Sequence, residues 1–421
     1  MSSVKITVFE YSNLYKKDLP ITDLSERDKV YKALVDFHGK DNNGTFPYYS
    51  LVKDGIRFKQ YVGVLCVGNL IIEVLPKADK KAKGDDNKEE WRNCLLHMLN
   101  RVYSLEVKSP SQAPQKISSS PILDIFIYRF LNEVDTLLNR GLVKCYHKEE
   151  KNLFTWKGKL LWNKHLSKNF AHQECFYVNY TTYDREHIMN RILRQALIVI
   201  SKIVGDKFLK GRASYTLFNF PELKELQVTD ETFSNLTFNR KTEDYRNAIE
   251  IAKLILLHYM PNTFVGKRDI LALMFDMNKL WEEFIYRVLR RGLNNSTVKA
   301  QSQKVFWKSI SSNGIKTVRP DIVLKKYGET FIMDTKWKLP IMQTPSDGDL
   351  HQMHAYLKRF NAKKVALLYP KTNNTESVLG RFCSDSNNPG DNCDMLFLPC
   401  GHQNPKQWEK TICGIVNQWI N

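Results

Sequence analysis

The spacing of apolar side chains divides the chain into recognisable elements. Between residues 277 and 291, Leu280, Trp281, Phe284, Ile285, Val288 and Leu289 recur every three or four positions, the stripe of an amphipathic helix. Residues 122–139 carry the same periodicity and run into Gly141, which predicts a second long helix ending there. Further helices are predicted after Ser25, with Asp28 completing a loose capping box, and at 89–103, 184–204 (capped by Asp184), 243–259 and 349–360. Strand-like runs lie at 4–10, on both sides of Gly68-Asn69 between 56 and 75, and at 304–310, 320–324, 330–337 and 364–369. The Gly-Asn pair predicts a two-residue hairpin turn. From residue 275 onward the predicted order is helix, three strands, helix, strand.

Two stretches interrupt the patterning. The loop 77–87 is rich in Lys and Asp, and 109–121 is rich in Ser and Pro and poor in bulky apolar residues, so the latter predicts a linker. The expectation is a mixed α/β, multidomain chain. An α+β domain would cover 1–115, a helical and β middle region 121–270, and a C-terminal domain of order α-β-β-β-α-β 271–421. The apolar runs are far shorter than the roughly 20 residues a membrane-spanning helix needs. The N-terminus reads as a strand rather than a signal peptide. Neither secretion nor membrane spanning is expected, so a cytoplasmic location is the expectation.

Composition adds a partner. The 421 residues are 43% hydrophobic and 26% charged, an ordinary globular balance. Lys and Arg number 63 against 45 Asp and Glu, a net charge of +18, which points to a polyanion. Nucleic acid is the first choice; an anionic membrane surface and a merely Lys-rich surface are the rivals. Part of the excess is local. Arg140, Lys144, Lys148, Lys151, Lys157, Lys159, Lys164 and Lys168 face only Glu149 and Glu150, with Tyr146, Phe154, Trp156, Trp162 and Phe170 among them. Such a stretch is either a nucleic-acid surface, with charges for phosphates and rings for bases, or a β-meander with its rings in the core.

Other chemistry is set aside by what the sequence lacks. The eight cysteines include no CxxC pair, and Cys383, Cys393, Cys400 and His402 are spaced too irregularly for a zinc site, so reduced thiols are expected. No GxxxxGK[ST] is present; if nucleotide hydrolysis drives this system, another subunit supplies it. There is likewise no GxSxG or HExxH.

The informative constellation lies in RPDIVL and IMDTKWK. The first places Asp321 at the start of a strand, and the second places Asp334 and Lys336 two apart on the next, hence on one face. Two neighbouring carboxylates repel unless a cation sits between them, and two carboxylates with open water positions suit Mg²⁺. A lysine beside such a metal can orient the attacking water and offset charge on a phosphorane-like transition state. The competing reading is a solvated cross-strand ion pair, against which Val323, Ile332, Met333 and Trp337 argue for a buried sheet.

The pair Pro320-Asp321 and Asp334-Thr335-Lys336 resembles the PD-(D/E)xK nuclease superfamily, whose fold is restriction-endonuclease-like. The resemblance implies that Asp321 and Asp334 hold a metal and that Lys336 is the catalytic lysine. It implies that Glu282 on the preceding helix, with Glu283 in reserve, helps to hold the metal, and that Gln352 on the following helix completes the site. His351 and His354 nearby read as packing or surface residues. FDMNKLWEEFIYRVL, RPDIVL, IMDTKWK, QMHAYLKRF and VALLYP together resemble the McrC family. LFTWKGKLLWNKHL, DREHIMNRILRQAL and GVLCVGNLIIEVLPKAD extend the likeness upstream, while 382–393 matches nothing in it. McrC proteins are the nuclease subunits of McrBC modification-dependent restriction systems. The resemblance therefore implies Mg²⁺-dependent cutting of double-stranded, modified DNA. It also implies a hexameric McrB-like AAA+ GTPase partner that binds the GTP and whose hydrolysis this chain stimulates, with no membrane involved, and a bacterial or archaeal cell. On this view Lys144, Lys148, Lys151, Lys157, Lys159, Lys164, Lys168 and Arg319 contact DNA. The alternatives are a PD-(D/E)xK nuclease with another partner or an RNA substrate, and a catalytically silent DNA-binding adaptor of an AAA+ ring.

Overall fold

The computed structural model describes residues 4–39, 47–77, 88–103, 122–260, 269–310, 313–371, 375–383, 391–400 and 404–421. The linker expected at 109–121, nearly all of the loop 77–87, His402 and the middle of 382–393 lie outside the described residues. The described chain is a mixed α/β protein with two compact units: residues 122–260 with 269–273 form one, and 4–103 with 274–421 the other.

In the larger unit a five-stranded sheet runs in the order Thr297–Ala300, Ile322–Lys326, Glu329–Thr335, Lys364–Lys371, Asn392–Pro399. The first two junctions are antiparallel and the last two parallel. Parallel neighbours need a crossover, and the helix Asp347–Phe360 supplies it between the third and fourth strands. Its Met353, Tyr356, Leu357 and Phe360 pack on Ile332, Val365 and Leu367. The helix Met277–Gly292 buries the apolar stripe predicted for it and packs with Pro405–Ile420.

Two expectations are corrected here. The run 304–310 is not a core strand: Lys304–Lys308 pairs with Ile315–Val318 in a separate two-stranded ribbon whose first strand is exposed throughout. The first core strand is instead Thr297–Ala300, too short to stand out by alternation. The second runs from Ile322 rather than residue 320, since Pro320 cannot donate to a ladder.

The N-terminal segment belongs to the same unit as the sheet just described. Tyr61–Val67 and Leu70–Leu75 form the expected hairpin, with Gly68 at φ +57°, and Val4–Phe9 adds in parallel to Leu70–Leu75. The run before the turn is broken, because Gly55–Phe58 pairs in another sheet with Asn13–Tyr15 and Tyr49–Val52. The helix Leu24–Gly39 is opened by Asp23, whose carboxylate accepts from Ser25 N at 2.9 Å, rather than by Ser25. Lys88–Val102 is pinned to its sheet by Arg92, 2.7 Å from the fully buried Glu73, and it packs on Met277–Gly292. Arg101 pairs with Glu409, and Trp337 Nε1 donates to Glu10 Oε1 at 2.7 Å. Stretches expected as separate N- and C-terminal domains are thus joined by buried rings and paired charges.

The other unit is built on Ile122–Arg140, Ile188–Ile203, Lys207–Asn219 and Arg246–Leu257. Gly141 follows the first helix at φ +90°, as its stop signal requires. The second starts four residues later than expected and is capped by His187, not Asp184, which ends a strand. Asn190 is fully buried yet satisfied: it donates to Val143 O and Arg185 O, both at 2.8 Å, and accepts from Tyr245 OH at 2.9 Å. A three-stranded sheet, Cys145–Leu153, Phe176–Asp184 and Lys159–Leu160, completes this unit with the short helix Trp162–Asn169. No helix among the described residues is long and apolar enough to cross a membrane.

Candidate active site

Three neighbouring strand ends deliver the polar residues. Ile322 pairs with Met333, so the register carried one step further sets Asp321 opposite Asp334. Ala300 pairs with Ile322, and Gln301 N donates to Asp321 O at 2.9 Å, which brings Gln301 alongside. Gln301 has φ +50°, in the left-handed region, where the chain turns out of the sheet into the ribbon. A non-glycine residue held there costs about 1 kcal/mol or more and is found disproportionately at functional sites.

Asp321 is fixed by the residue between the two motif positions: its Oδ2 accepts from Thr335 N and Thr335 Oγ1, each at 2.8 Å. Asp334 is 2% exposed, and Lys336 Nζ lies 2.6 Å from its Oδ2, as the two-residue spacing predicted. Lys336 Nζ also donates to Gln352 Oε1 at 3.2 Å and lies 3.4 Å from Asp349 Oδ1. Gln352 donates in turn to Tyr356 OH at 2.6 Å, and that hydroxyl donates to Arg319 O at 3.1 Å. Asp349 is anchored by Lys338 and by Ser346 Oγ, both at 2.7 Å. Glu282 accepts from Gln301 Nε2, whose distance to Asp321 Oδ1 is 3.5 Å. Glu283 instead pairs with Arg287 one turn along, so Glu282 is the member of this cluster.

The structure therefore brings together Glu282, Asp321, Asp334, Lys336 and Gln352. Gln301, Thr335 and Asp349 were missed from sequence. The spacing of Thr335 inside the motif was a usable signal; Gln301 and Asp349 carried none. Arg319 is exposed at the foot of the ribbon, and His351 and His354 are exposed on the helix surface.

The electrostatics are those of a crowded acidic site. Burial pushes the Glu282 carboxyl up to about 7, with Asp321 and Asp334 adding repulsion and Gln301 opposing it. Burial and Asp321 push Asp334 up to about 6 against the pull of Lys336. Lys336 is disfavoured by burial, but Asp334 and Asp349 outweigh that and raise its pKa. Burial works against ionised Asp349 as well, yet Lys338, Ser346 and Lys336 bring its pKa below the usual range. The repulsion that raises Glu282 and Asp334 is what a cation placed between the carboxylates would relieve.

No three His, Cys, Asp or Glu side chains among the described residues close into a metal cage. The set is open instead: two opposed carboxylates, a third joined to them through an amide, and a lysine at one side. That donor chemistry fits a divalent ion that keeps most of its waters, as Mg²⁺ does.

The shift on Glu282 has a testable sign. A carboxyl raised in the fold destabilises it where the unfolded chain would ionise, so the penalty is absent below about pH 4 and complete above about pH 7. Glu282→Gln, measured by denaturant unfolding without divalent ions, is expected to gain on wild type as pH rises from 5 to 8. Discounted for partial exposure, the gain is of order 1 kcal/mol. An equal pH dependence in both proteins would contradict the assignment.

The basic stretch lies in the other unit. Lys144, Lys148, Lys151, Lys157, Lys159, Lys164 and Lys168 are all exposed. So are the rings, at 74% for Tyr146, 78% for Phe154, 60% for Trp156, 63% for Trp162 and 85% for Phe170. The core reading required them inside, but the local core is Leu160, Val178 and Tyr180. Lys157 Nζ stands 4.3 Å from the Tyr180 ring centroid, Lys168 4.9 Å from that of Tyr177, and Lys151 pairs with Glu149 at 2.8 Å. At the C-terminus, Cys393 lies inside a core strand and burial pushes its thiol up to about 12, so it packs as an apolar residue.

A family model described as "McrBC 5-methylcytosine restriction system component" matches residues 56–370. The type IV methyl-directed restriction enzyme EcoKMcrBC of Escherichia coli (strain K12) is 22% identical over 296 residues, covering 66% of this chain and 84% of that protein. Among solved structures, the refined half-complex from the tetradecameric assembly of Thermococcus gammatolerans McrB AAA+ hexamers with bound McrC contains a similar chain. It aligns with 99% of this chain and 100% of its own at a TM-score of 0.68 and 20% identity, a likeness of fold.

Proposed function

The chain belongs to the McrBC 5-methylcytosine restriction family, and from that premise we propose that it is the nuclease subunit of a modification-dependent restriction complex with a PD-(D/E)xK site. The observation that carries the reading is the meeting of Asp321, Asp334 and Lys336, with Glu282 and Gln352, at the ends of neighbouring strands of the larger unit's sheet. Asp321 and Asp334, with Glu282 behind them, would hold Mg²⁺. The ion would draw charge from the scissile phosphate and make the attacking water more acidic.

The chain's own residues have separate tasks. Thr335 holds the Asp321 carboxylate by two hydrogen bonds, which sets the distance between the paired acids. Lys336 keeps its proton because Asp334 and Asp349 favour the ammonium, so it offers a fixed positive charge and N–H donors to the phosphate oxygens in the transition state. Gln352, braced by Tyr356, accepts from that ammonium and limits its rotation. Burial and the neighbouring carboxylates push Glu282 up to about 7 without a metal, so a cation at Asp321 and Asp334 would draw it into the charged form that can help to hold the ion.

The relatives named above are a methyl-directed restriction enzyme and a complex with McrB AAA+ hexamers. They support a hexameric AAA+ partner and methylated DNA as substrate; the GTP that the resemblance to McrC implies would be bound by that partner, since this sequence carries no P-loop motif. The reading is tested by incubating the chain with and without its AAA+ partner, GTP and Mg²⁺ on methylated and unmodified plasmid. Cleavage is expected only with all components and methylated DNA. Equal cleavage by the chain alone would point to a freestanding nuclease.

The exposed lysines and rings of 140–172 would add grip on DNA. Lys157→Ala, Lys159→Ala and Lys168→Ala combined are expected to weaken duplex binding. The slope of log affinity on log salt should become shallower by about 0.9 for each phosphate that a lysine no longer neutralises. An unchanged slope in a salt titration would show that this surface does not hold DNA.

A further inference from the structure

We propose that the ribbon of Lys304–Lys308 and Ile315–Val318 enters a groove of duplex DNA beside the cut site and wedges apolar side chains against the bases. The inference rests on the nuclease reading and deepens it by naming a substrate-gripping element. Among the described residues the two strands pair only with each other and lie outside the five-stranded sheet. A lone two-stranded ribbon is marginal in water, and this one shows Val305, Phe306, Trp307, Ile310 and Ile315 to solvent, with Phe306 55%, Trp307 54% and Ile310 fully exposed. A register shift between Val305 and Trp307 adds local twist.

Charge decides the occupant. From Ser302 to Pro320 the sequence has no acidic residue but carries Lys304, Lys308, Lys316 and Arg319. Protein interfaces are depleted in lysine, whereas phosphates attract it. A two-stranded ribbon has the dimensions of the major groove, and apolar wedges between base steps are a recurrent way of kinking DNA.

Position ties the ribbon to the chemistry. One strand begins three residues after Gln301, and the other ends three residues before Asp321, about 10 Å of chain away. Its base is clamped to the helix that carries Gln352: Arg359 Nε donates to Val305 O, and Lys304 Nζ stands 4.6 Å from the Phe360 ring centroid. A duplex with a phosphate at Asp321 would therefore run alongside the ribbon.

The test compares the full chain, in complex with its AAA+ partner, with a Phe306→Ser, Trp307→Ser, Ile310→Ser variant. The probe is a short methylated duplex carrying 2-aminopurine, with Ca²⁺ in place of Mg²⁺ to follow binding. Wild type is expected to brighten 2-aminopurine as bases unstack. The variant should lose that signal and bind about ten-fold more weakly, with its melting temperature and its association with the partner unchanged. Wild-type affinity and fluorescence in the variant, while wild type still cuts, would overturn the ribbon's role and leave the nuclease reading standing. Loss of association with the partner at undiminished DNA affinity would mark a protein-docking element instead and also overturn it. Failure of wild type to bind or cut any duplex would remove the reading beneath both.

Discussion

Asp334→Asn is expected to abolish DNA cleavage, by about 10³-fold or more, while making the metal-free protein more stable at pH 8. The two effects have one origin. Burial and Asp321 lift the Asp334 carboxyl to about 6 even with Lys336 at 2.6 Å, so at pH 8 the fold carries an ionised group it disfavours. The penalty is absent below about pH 3, where folded and unfolded chains are both protonated, still small at pH 4, and complete above about pH 7. Asparagine keeps the shape and drops the charge, which should return roughly 1–3 kcal/mol at pH 8 and little at pH 4. Paired assays of cleavage and denaturant unfolding check both halves. Lys336→Ala is expected to lose about 10²–10³-fold in cleavage by removing the positive charge from the phosphate's side. An Asp334→Asn protein that cuts at the wild-type rate would contradict the site.

Trp337→Ala is expected to cost about 3–5 kcal/mol and to loosen the N-terminal segment along with the strand that carries Asp334. Trp337 follows Lys336 directly and is 4% exposed. Its ring lies 5.2 Å from Trp281 and 6.5 Å from Trp91, and its indole N–H donates to the buried Glu10. Truncation leaves a cavity among three elements and removes a donor from a buried carboxylate. Trp337→Phe keeps most of the volume and is expected to cost about 1–2 kcal/mol, mainly through that hydrogen bond. Equilibrium unfolding of both variants separates the contributions. A cost below about 1 kcal/mol for the alanine variant would mean that the N-terminal segment is not bound to the core as described.

The geometry of the candidate site was legible because it obeys short-range rules. Asp334 and Lys336 meet through strand periodicity, Asp321 joins them through neighbouring strands, and the stripe of the helix 277–291 was visible as a pattern. Gln301 was not legible: its place depends on the pairing of Thr297–Ala300, a four-residue strand, and on a left-handed backbone no spacing encodes. The ribbon misled for a related reason. VFW reads as buried because apolar runs usually are, and periodicity does not tell whether a strand has anything to lie against. Asn392–Pro399 and Pro405–Ile420 did carry signals, an apolar run and an Asn404 cap with proline at the first helical turn, yet they stayed unassigned beside an irregular polar loop. The union of Glu10 with Trp337, 327 positions apart, is a tertiary fact that local patterning does not reach.

The central claim is that Asp321 and Asp334 hold a divalent ion with which this chain cuts DNA. Its most direct test is plasmid cleavage by the chain with its AAA+ partner and GTP, after chelation and again after Mg²⁺ is restored, for wild type and for Asp321→Asn. Wild type is expected to be silent in chelator and to recover with Mg²⁺, while Asp321→Asn stays silent in both. Cleavage that persists in chelator, or that Asp321→Asn recovers in full, would contradict the account.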